Sequence, residues 1–136
     1  PIDACRVPYI YASMGRQQLS QELIRILVTE YFSAVPDAWT NDENGELSTW
    51  FVFSSLGFYP LHNEENYIIG APQVPEAFIK LDNGDLFIMN TTNLSVYNLY
   101  VNKIELNGKI YKDRTIAYQD IAKGGNILFK MDSKPN

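Results

Sequence analysis

The sequence has a single cysteine, Cys5, and a single histidine, His62, in 136 residues. A lone thiol excludes a disulfide framework and any CxxC redox motif, and leaves Cys5 as a passive, partly buried small residue. A single imidazole excludes multi-histidine zinc sites, and His62 reads as a surface or half-buried residue beside a proline turn. No GxSxG surrounds Ser48, Ser54 or Ser55, so a nucleophilic serine has no support. No apolar run is long enough for a membrane-spanning helix. Basic residues are few, 11 against 16 acidic, for a net charge of −5. They are scattered along the chain, which argues against nucleic acid as a partner. There is no internal repeat.

What is present fits one ordinary domain. The chain is 46% hydrophobic and 20% charged, and a protein this long buries roughly two-thirds of its unfolded surface, enough to need neither disulfides nor a structural metal. Seven Phe, nine Tyr and two Trp exceed what such a core requires, a composition common where sugar faces stack on rings. Pro1 is no natural start, so the chain is expected to belong to something longer.

Hydrophobic period divides the chain in two. Leu19, Leu23, Leu27 and Tyr31, with Ile24, Val28 and Phe32 one place on, predict a helix over residues 16–34 between Gly15 and Pro36. A shorter helix is expected over 7–14. Residues 46–56 read as a third, with Leu47, Trp50, Val52 or Phe53, and Leu56 inward and Gly57 closing it in the left-handed region. After Pro60 short β-branched and aromatic runs follow at 67–70, 78–81, 86–90, 97–106, 110–111, 115–118 and 127–131. Asn83-Gly84 and Asn107-Gly108 predict tight hairpins with positive φ at both central residues, and Lys123-Gly124-Gly125 marks a third turn. The expected fold is α+β: a helical segment over 1–60, then an antiparallel β segment, a sandwich or sheet, over 61–136.

The densest polar cluster is Thr40-Asn41-Asp42-Glu43-Asn44-Gly45-Glu46, between Trp39 and the third helix. Its carboxylates have two readings. They could cap the helix and complement its dipole, or one could face a cleft flanked by aromatic residues, as sugar hydrolysis requires. A helix-loop-helix calcium site does not fit, because aligning Gly45 with that motif's glycine puts Thr40 at the first ligand and Phe51 at the last. Asp82-Asn83-Gly84-Asp85 is a hairpin turn for the same kind of reason. Asn90 and Asn93 each begin a glycosylation pattern, which matters only in a eukaryote.

The run Asn41-Asp42-Glu43-Asn44-Gly45-Glu46-Leu47-Ser48-Thr49-Trp50-Phe51-Val52-Phe53-Ser54-Ser55-Leu56-Gly57-Phe58-Tyr59-Pro60 resembles the signature of glycoside hydrolase family 92. The resemblance extends upstream through Val7-Pro8-Tyr9-Ile10-Tyr11. Downstream it continues through Tyr67-Ile68-Ile69-Gly70-Ala71-Pro72, the Asn107-Gly108 turn and residues 120–136, and so covers nearly the whole chain.

That resemblance implies the last helices of an (α/α)6 barrel and a closing β segment. It implies a mostly bacterial, periplasmic or extracellular exo-α-mannosidase that inverts the anomeric centre, acts on mannose-containing glycans and depends on calcium. The general acid and most calcium ligands would lie upstream of Pro1, so this chain alone would be inactive. The family's general base falls on Glu43 and a second, often acidic position on Asn41, with Asp42 between them and Trp39 as the better sugar contact. Trp50 reads as core.

Several positions depart from the family pattern. Glu43 stands where the family has aspartate, and the extra methylene moves the carboxylate by about 1.5 Å, where a displacement near 1 Å can cost roughly a hundredfold in rate. Asn41 cannot take a proton. Thr40 replaces a glycine, and Asp3-Ala4-Cys5-Arg6 replaces a histidine-containing stretch. The alternative is therefore a non-catalytic carbohydrate-binding or structural β-module of a divergent, inactive paralogue. A barrel cut to this length would expose apolar helix faces and could self-associate.

Overall fold

The computed structural model describes residues 2–32, 42, 45–61 and 65–136. It opens with α1 (Ile2–Ser13) and α2 (Gln17–Ile26), which continues as a π-helical segment (Leu27–Tyr31). α1 begins five residues before the expected start and carries Pro8 in its interior. Gly15, at φ +80°, makes the turn between the two helices. In α2 the buried line runs through Ser20, Gln21 and Ile24 to Val28 and Phe32. Leu19, Leu23, Leu27 and Tyr31 flank it half-buried.

α3 (Glu46–Leu56) has the bounds its pattern predicts. Gly57 ends it at φ +105°, its N–H bonding the carbonyls of Phe53 at 3.1 Å and Ser54 at 3.3 Å. A Cβ at this position would stand 2.8 Å from Phe129 Cζ, so glycine serves both the left-handed backbone and the close approach of helix end to sheet. Of the expected inward positions Leu47 and Trp50 are buried, whereas Val52 is exposed and Ser54 and Ser55 take buried places.

A three-stranded antiparallel sheet follows, in the order β1 (Phe58–Pro60), β2 (Asn66–Ile69), β7 (Thr115–Ala117). The first strand thus begins directly after Gly57, before the change of period expected after Pro60. The larger sheet has five strands: β3 (Glu76–Lys80), β4 (Leu86–Thr92), β8 (Gly125–Asp132), β5 (Tyr100–Leu106) and β6 (Lys109–Ile110), neighbours in that order. A short helix, α4 (Tyr118–Ala122), links β7 to β8. The helices-then-strands arrangement is the one predicted, with one correction to the antiparallel expectation. β4 and β8 run parallel, because the chain between them crosses through β5, β6, β7 and α4 before returning.

Asn107-Gly108 forms the predicted turn, with φ of +52° and +81°. Asn83-Gly84 does not: only Gly84 has positive φ. There Gly84 N–H bonds the Leu81 carbonyl at 3.0 Å and Leu81 N–H the Asp85 carbonyl at 2.9 Å. That is a three-residue loop closed by a left-handed glycine.

Two cores meet at β2. Ile68 joins Tyr9, Ile24, Phe32, Leu47 and Trp50 among the helices. Its neighbour Ile69 joins Phe58, Phe87, Met89, Ile116 and Phe129 among the strands. Alternation along one strand sends successive side chains to opposite faces, and each buried isoleucine is worth about 1.5–3 kcal/mol. β2 is therefore the wall through which helices and sheets share stability.

Candidate active site

The polar cluster reaches the structure through Asp42. Its Oδ1 accepts the Leu47 amide at 2.9 Å, and its Oδ2 accepts the Ser48 amide at 3.3 Å and the Ser48 hydroxyl at 2.5 Å. Its carbonyl accepts the Gly45 amide at 3.4 Å. The first amides of α3 have no partner within the helix, and its N-terminus carries partial positive charge, so an anion is favoured there. The Ser48 hydroxyl, helped by the Leu47 and Ser48 amides and opposed by partial desolvation, holds the Asp42 carboxyl below the usual carboxylate range. Of the two readings of the cluster, Asp42 displays the capping one: both oxygens are occupied in fixing the start of α3. Glu43, Asn41 and Trp39 lie outside the described residues, as does His62.

Beneath the loop the helix is held from both sides. Trp50 is fully buried, and its indole N–H donates to the Cys5 carbonyl at 2.6 Å. Phe32 packs against Trp50 and Phe51 with ring centroids 5.4 and 5.8 Å apart. Trp50 is thus core, and no sugar can reach it. The Tyr9 and Ser54 hydroxyls share a hydrogen bond of 2.6 Å, and the Tyr9 ring stacks on Tyr59 at 4.7 Å. Ser54 is buried and already paired, and Ser48 donates to Asp42, so neither serine is poised as a nucleophile. Cys5 is buried too, its thiol pushed up to about 11 by desolvation.

Around this end of α3 stand Arg6, Glu46 and Tyr59. Burial raises the Tyr59 hydroxyl above its ordinary value, with Arg6 opposing and Glu46 adding. Arg6 lies in the stretch that departs from the family pattern, and its guanidinium, 3.4 Å from Asp3, is exposed. Tyr59 is thus a half-buried phenol within the electrostatic reach of both a cation and an anion. The sequence placed Glu46 in the polar cluster and Arg6 in the departing stretch, but nothing in it singled out Tyr59 as their neighbour.

Among the described residues no three His, Cys, Asp or Glu side chains converge as a metal site. The calcium that the family resemblance implies does not fit the residues described, since Asp42 commits both oxygens to α3. Among the same residues no helix is long and apolar enough to cross a membrane. A cavity of about 570 Å³ lies elsewhere, at the start of α2. α2 rises about 1.5 Å per residue, which sets the cavity's Gln17–Gln21 wall roughly 16–22 Å along the helix from the Phe32–Trp50 contact.

The model of the glycosyl hydrolase family 92 catalytic domain matches residues 3–133. Among solved structures, a family 92 α-mannosidase of Bacteroides thetaiotaomicron is 34% identical and superposes with a TM-score of 0.89 over 97% of this chain and 18% of its own. An inverting family 92 mannosidase of strain VPI-5482 of that species is 28% identical, with a TM-score of 0.85 over 96% of this chain and 18% of its own. An uncharacterized secreted glycosidase of Arthroderma benhamiae is 26% identical over 126 residues, 88% of this chain and 16% of that protein. The chain thus spans less than a fifth of the length of these relatives. On the family match and the 34% identity across nearly its full extent, the chain belongs to glycosyl hydrolase family 92.

Proposed function

We propose that this chain forms part of an exo-acting, inverting α-mannosidase, in which Glu43 accepts a proton from the attacking water. The observation that carries this reading is the Asp42 clasp on the first turn of α3. It fixes the backbone immediately beside position 43 with three hydrogen bonds from Leu47 and Ser48. A base for hydrolysis must be held to within a fraction of an ångström by groups that are themselves locked, and Trp50 and Ser54 lock α3 from below.

In this role Glu43 is the base, Asp42 the residue that positions it, and Asn41 a hydrogen-bonding neighbour of the water or the sugar. Trp39 would stack on the sugar. An inverting site separates its two carboxyl groups by about 6.5–9.5 Å to admit water, and the acid would come from another part of the polypeptide. Calcium, where the whole protein holds it, would take most of its ligands from outside these 136 residues. Two relatives support the substrate class: the first Bacteroides enzyme was also solved with mannoimidazole, and the second is described as inverting. The fungal relative's description as secreted favours a site outside the cytoplasm, which we extend to a periplasmic or cell-surface enzyme of a bacterium. Val7 and Ile10 on α1, with Met14 just after it, leave an apolar stripe exposed, which fits coverage by further barrel helices or, failing them, by a second copy.

Replacing Glu43 by Gln in the whole enzyme tests the assignment. A general base contributes roughly 10²–10⁴-fold, so kcat on an α-mannoside should fall by that order while the melting temperature holds. Unchanged turnover removes Glu43 from the mechanism.

A further inference from the structure

The cavity at the start of α2 has apolar walls, Ile69, Ile104 and Ile110 among them, set with polar groups that the hydrolase reading leaves unused. It lies between the first turns of α2 and the β5–β6 edge with the segment leading into β7, and Gln17, Gln21 and Arg114 are among its walls. Gln21 is 7% exposed, and its Oε1 accepts the Val101 amide at 3.1 Å. That bond fixes the carboxamide, whose NH2 group makes no hydrogen bond among the described residues. Gln21 lines the cavity, so this donor is available to a guest there. Val101 adjoins a bulge in which Asn102 is the extra residue between the Val101–Met131 and Lys103–Lys130 pairs. Asn102 also faces the cavity, and bulges commonly re-aim side chains next to binding sites.

The charge there is opposite to that of the molecule. In a chain of net −5, Lys103, Lys112 and Arg114 line the cavity against Asp113 alone. Among the described residues the Arg114 guanidinium makes no ion pair, and it lies on the α1–α2 turn, where a Cβ on Gly15 would be 2.9 Å from Nη1. It thus stands at the N-terminus of α2, which no side chain caps and whose free amides and dipole favour an anion. Gln17 donates its NH2 to the Ala12 carbonyl at 3.1 Å, leaving its Oε1 as an acceptor. The volume, about 570 Å³, exceeds what a bare ion needs and falls in the range of small-molecule pockets, about 300–1,000 Å³.

We propose that this cavity binds an oxyanion carried on a hydroxylated frame, the chemistry shared by phosphorylated and carboxylated sugars. Arg114 and the α2 amides hold the anion, and the carboxamides of Gln21 and Gln17 meet the hydroxyls. The proposal does not depend on Glu43 or on catalysis.

Calorimetric titration of the protein with a hexose 6-phosphate, a hexuronate, inorganic phosphate and the neutral hexose tests it. At least one organic anion should bind, at least tenfold tighter than the neutral hexose and than inorganic phosphate; which one distinguishes phosphate from carboxylate. Arg114→Gln should weaken that binding about tenfold or more, the scale of one charge-assisted hydrogen bond. Gln21→Glu keeps an acceptor for Val101 and replaces the free donor with a carboxylate, and should abolish binding. Lys80→Gln, on the exposed edge of β3, should leave it unchanged. Circular dichroism melts separate loss of binding from loss of fold, and Arg114 is exposed enough for its variant to fold. Absence of saturable binding by either organic anion, or binding indifferent to Arg114→Gln, overturns the site. Inorganic phosphate binding as tightly as the organic anions overturns the hydroxylated frame.

Discussion

The indole N–H of Trp50 donates to the carbonyl of Cys5, 45 positions earlier in the chain, at 2.6 Å with both residues buried. This bond ties α1 to α3 at the end where the polar loop begins. Trp50→Phe would keep much of the buried aromatic surface while losing this second bond to a carbonyl inside α1, at a cost of about 0.5–1.5 kcal/mol for the hydrogen bond. Urea unfolding should show a lower midpoint with an unchanged slope. A wild-type midpoint would mean that the bond contributes nothing to stability.

Asp42 makes the start of α3 sensitive to acid. Its carboxyl is held below the ordinary value, first by the Ser48 hydroxyl. A depressed folded pKa contributes stability that is present above the unfolded value, near pH 4, and is lost as pH falls through the folded one. Hydrogen exchange at the Leu47 and Ser48 amides should therefore accelerate below about pH 4 beyond the intrinsic rate. In Asp42→Asn the amides should be less protected at neutral pH and show no such acid step.

Gly57 and Gly84 separate two costs. Both have positive φ, +105° and +88°, but only at Gly57 does an added Cβ meet other atoms, 2.8 Å from Phe129 and 3.3 Å from Pro72. Gly84→Ala should cost about 1–2 kcal/mol from backbone strain alone. Gly57→Ala should cost more, because helix end and sheet must also move apart. Equal shifts in melting temperature would show that Phe129 yields freely.

Cys5 should resist alkylation. Burial pushes its thiol up to about 11, and the thiolate is the reactive form. Iodoacetamide at pH 8 should label the native protein only as fast as it unfolds. The sign of the pH effect is opposite to that of Asp42: for an acid with a raised folded pKa, stability present below about pH 9 is lost as pH rises toward 11. Rapid labelling under native conditions would mean that the helical core opens locally.

Much of this was legible in the pattern of residues. Leu47 and Trp50 with Gly57 behind them defined α3 to the residue, because burial, spacing and a left-handed stop all agree there. Period-2 runs located the strands of the larger sheet, though the pattern of one strand does not say which neighbour it pairs with, and so the parallel β4–β8 contact was invisible. Asn83 shows the same limit on a smaller scale. Its side chain accepts the Asp85 amide at 2.9 Å, so the turn adopts a form that the dipeptide alone does not specify. Asp42 was legible as a residue but not as a role, since capping and catalysis ask for the same carboxylate at a helix entrance. The α2 cavity left almost no trace. Ser20 and Gln21 interrupt an otherwise apolar face, and only the fold shows that one of them opens toward Arg114.

The strand made last among those of the larger sheet is also its middle one. β8 lies between β4 and β5, so until it emerges from the ribosome the β3–β4 and β5–β6 hairpins have open inner edges and nothing to join them. Such edges recruit other chains. A nascent polypeptide halted before Gly125 would therefore not be a slightly shortened protein but two unconnected ribbons, exposed to aggregation and to quality-control proteases.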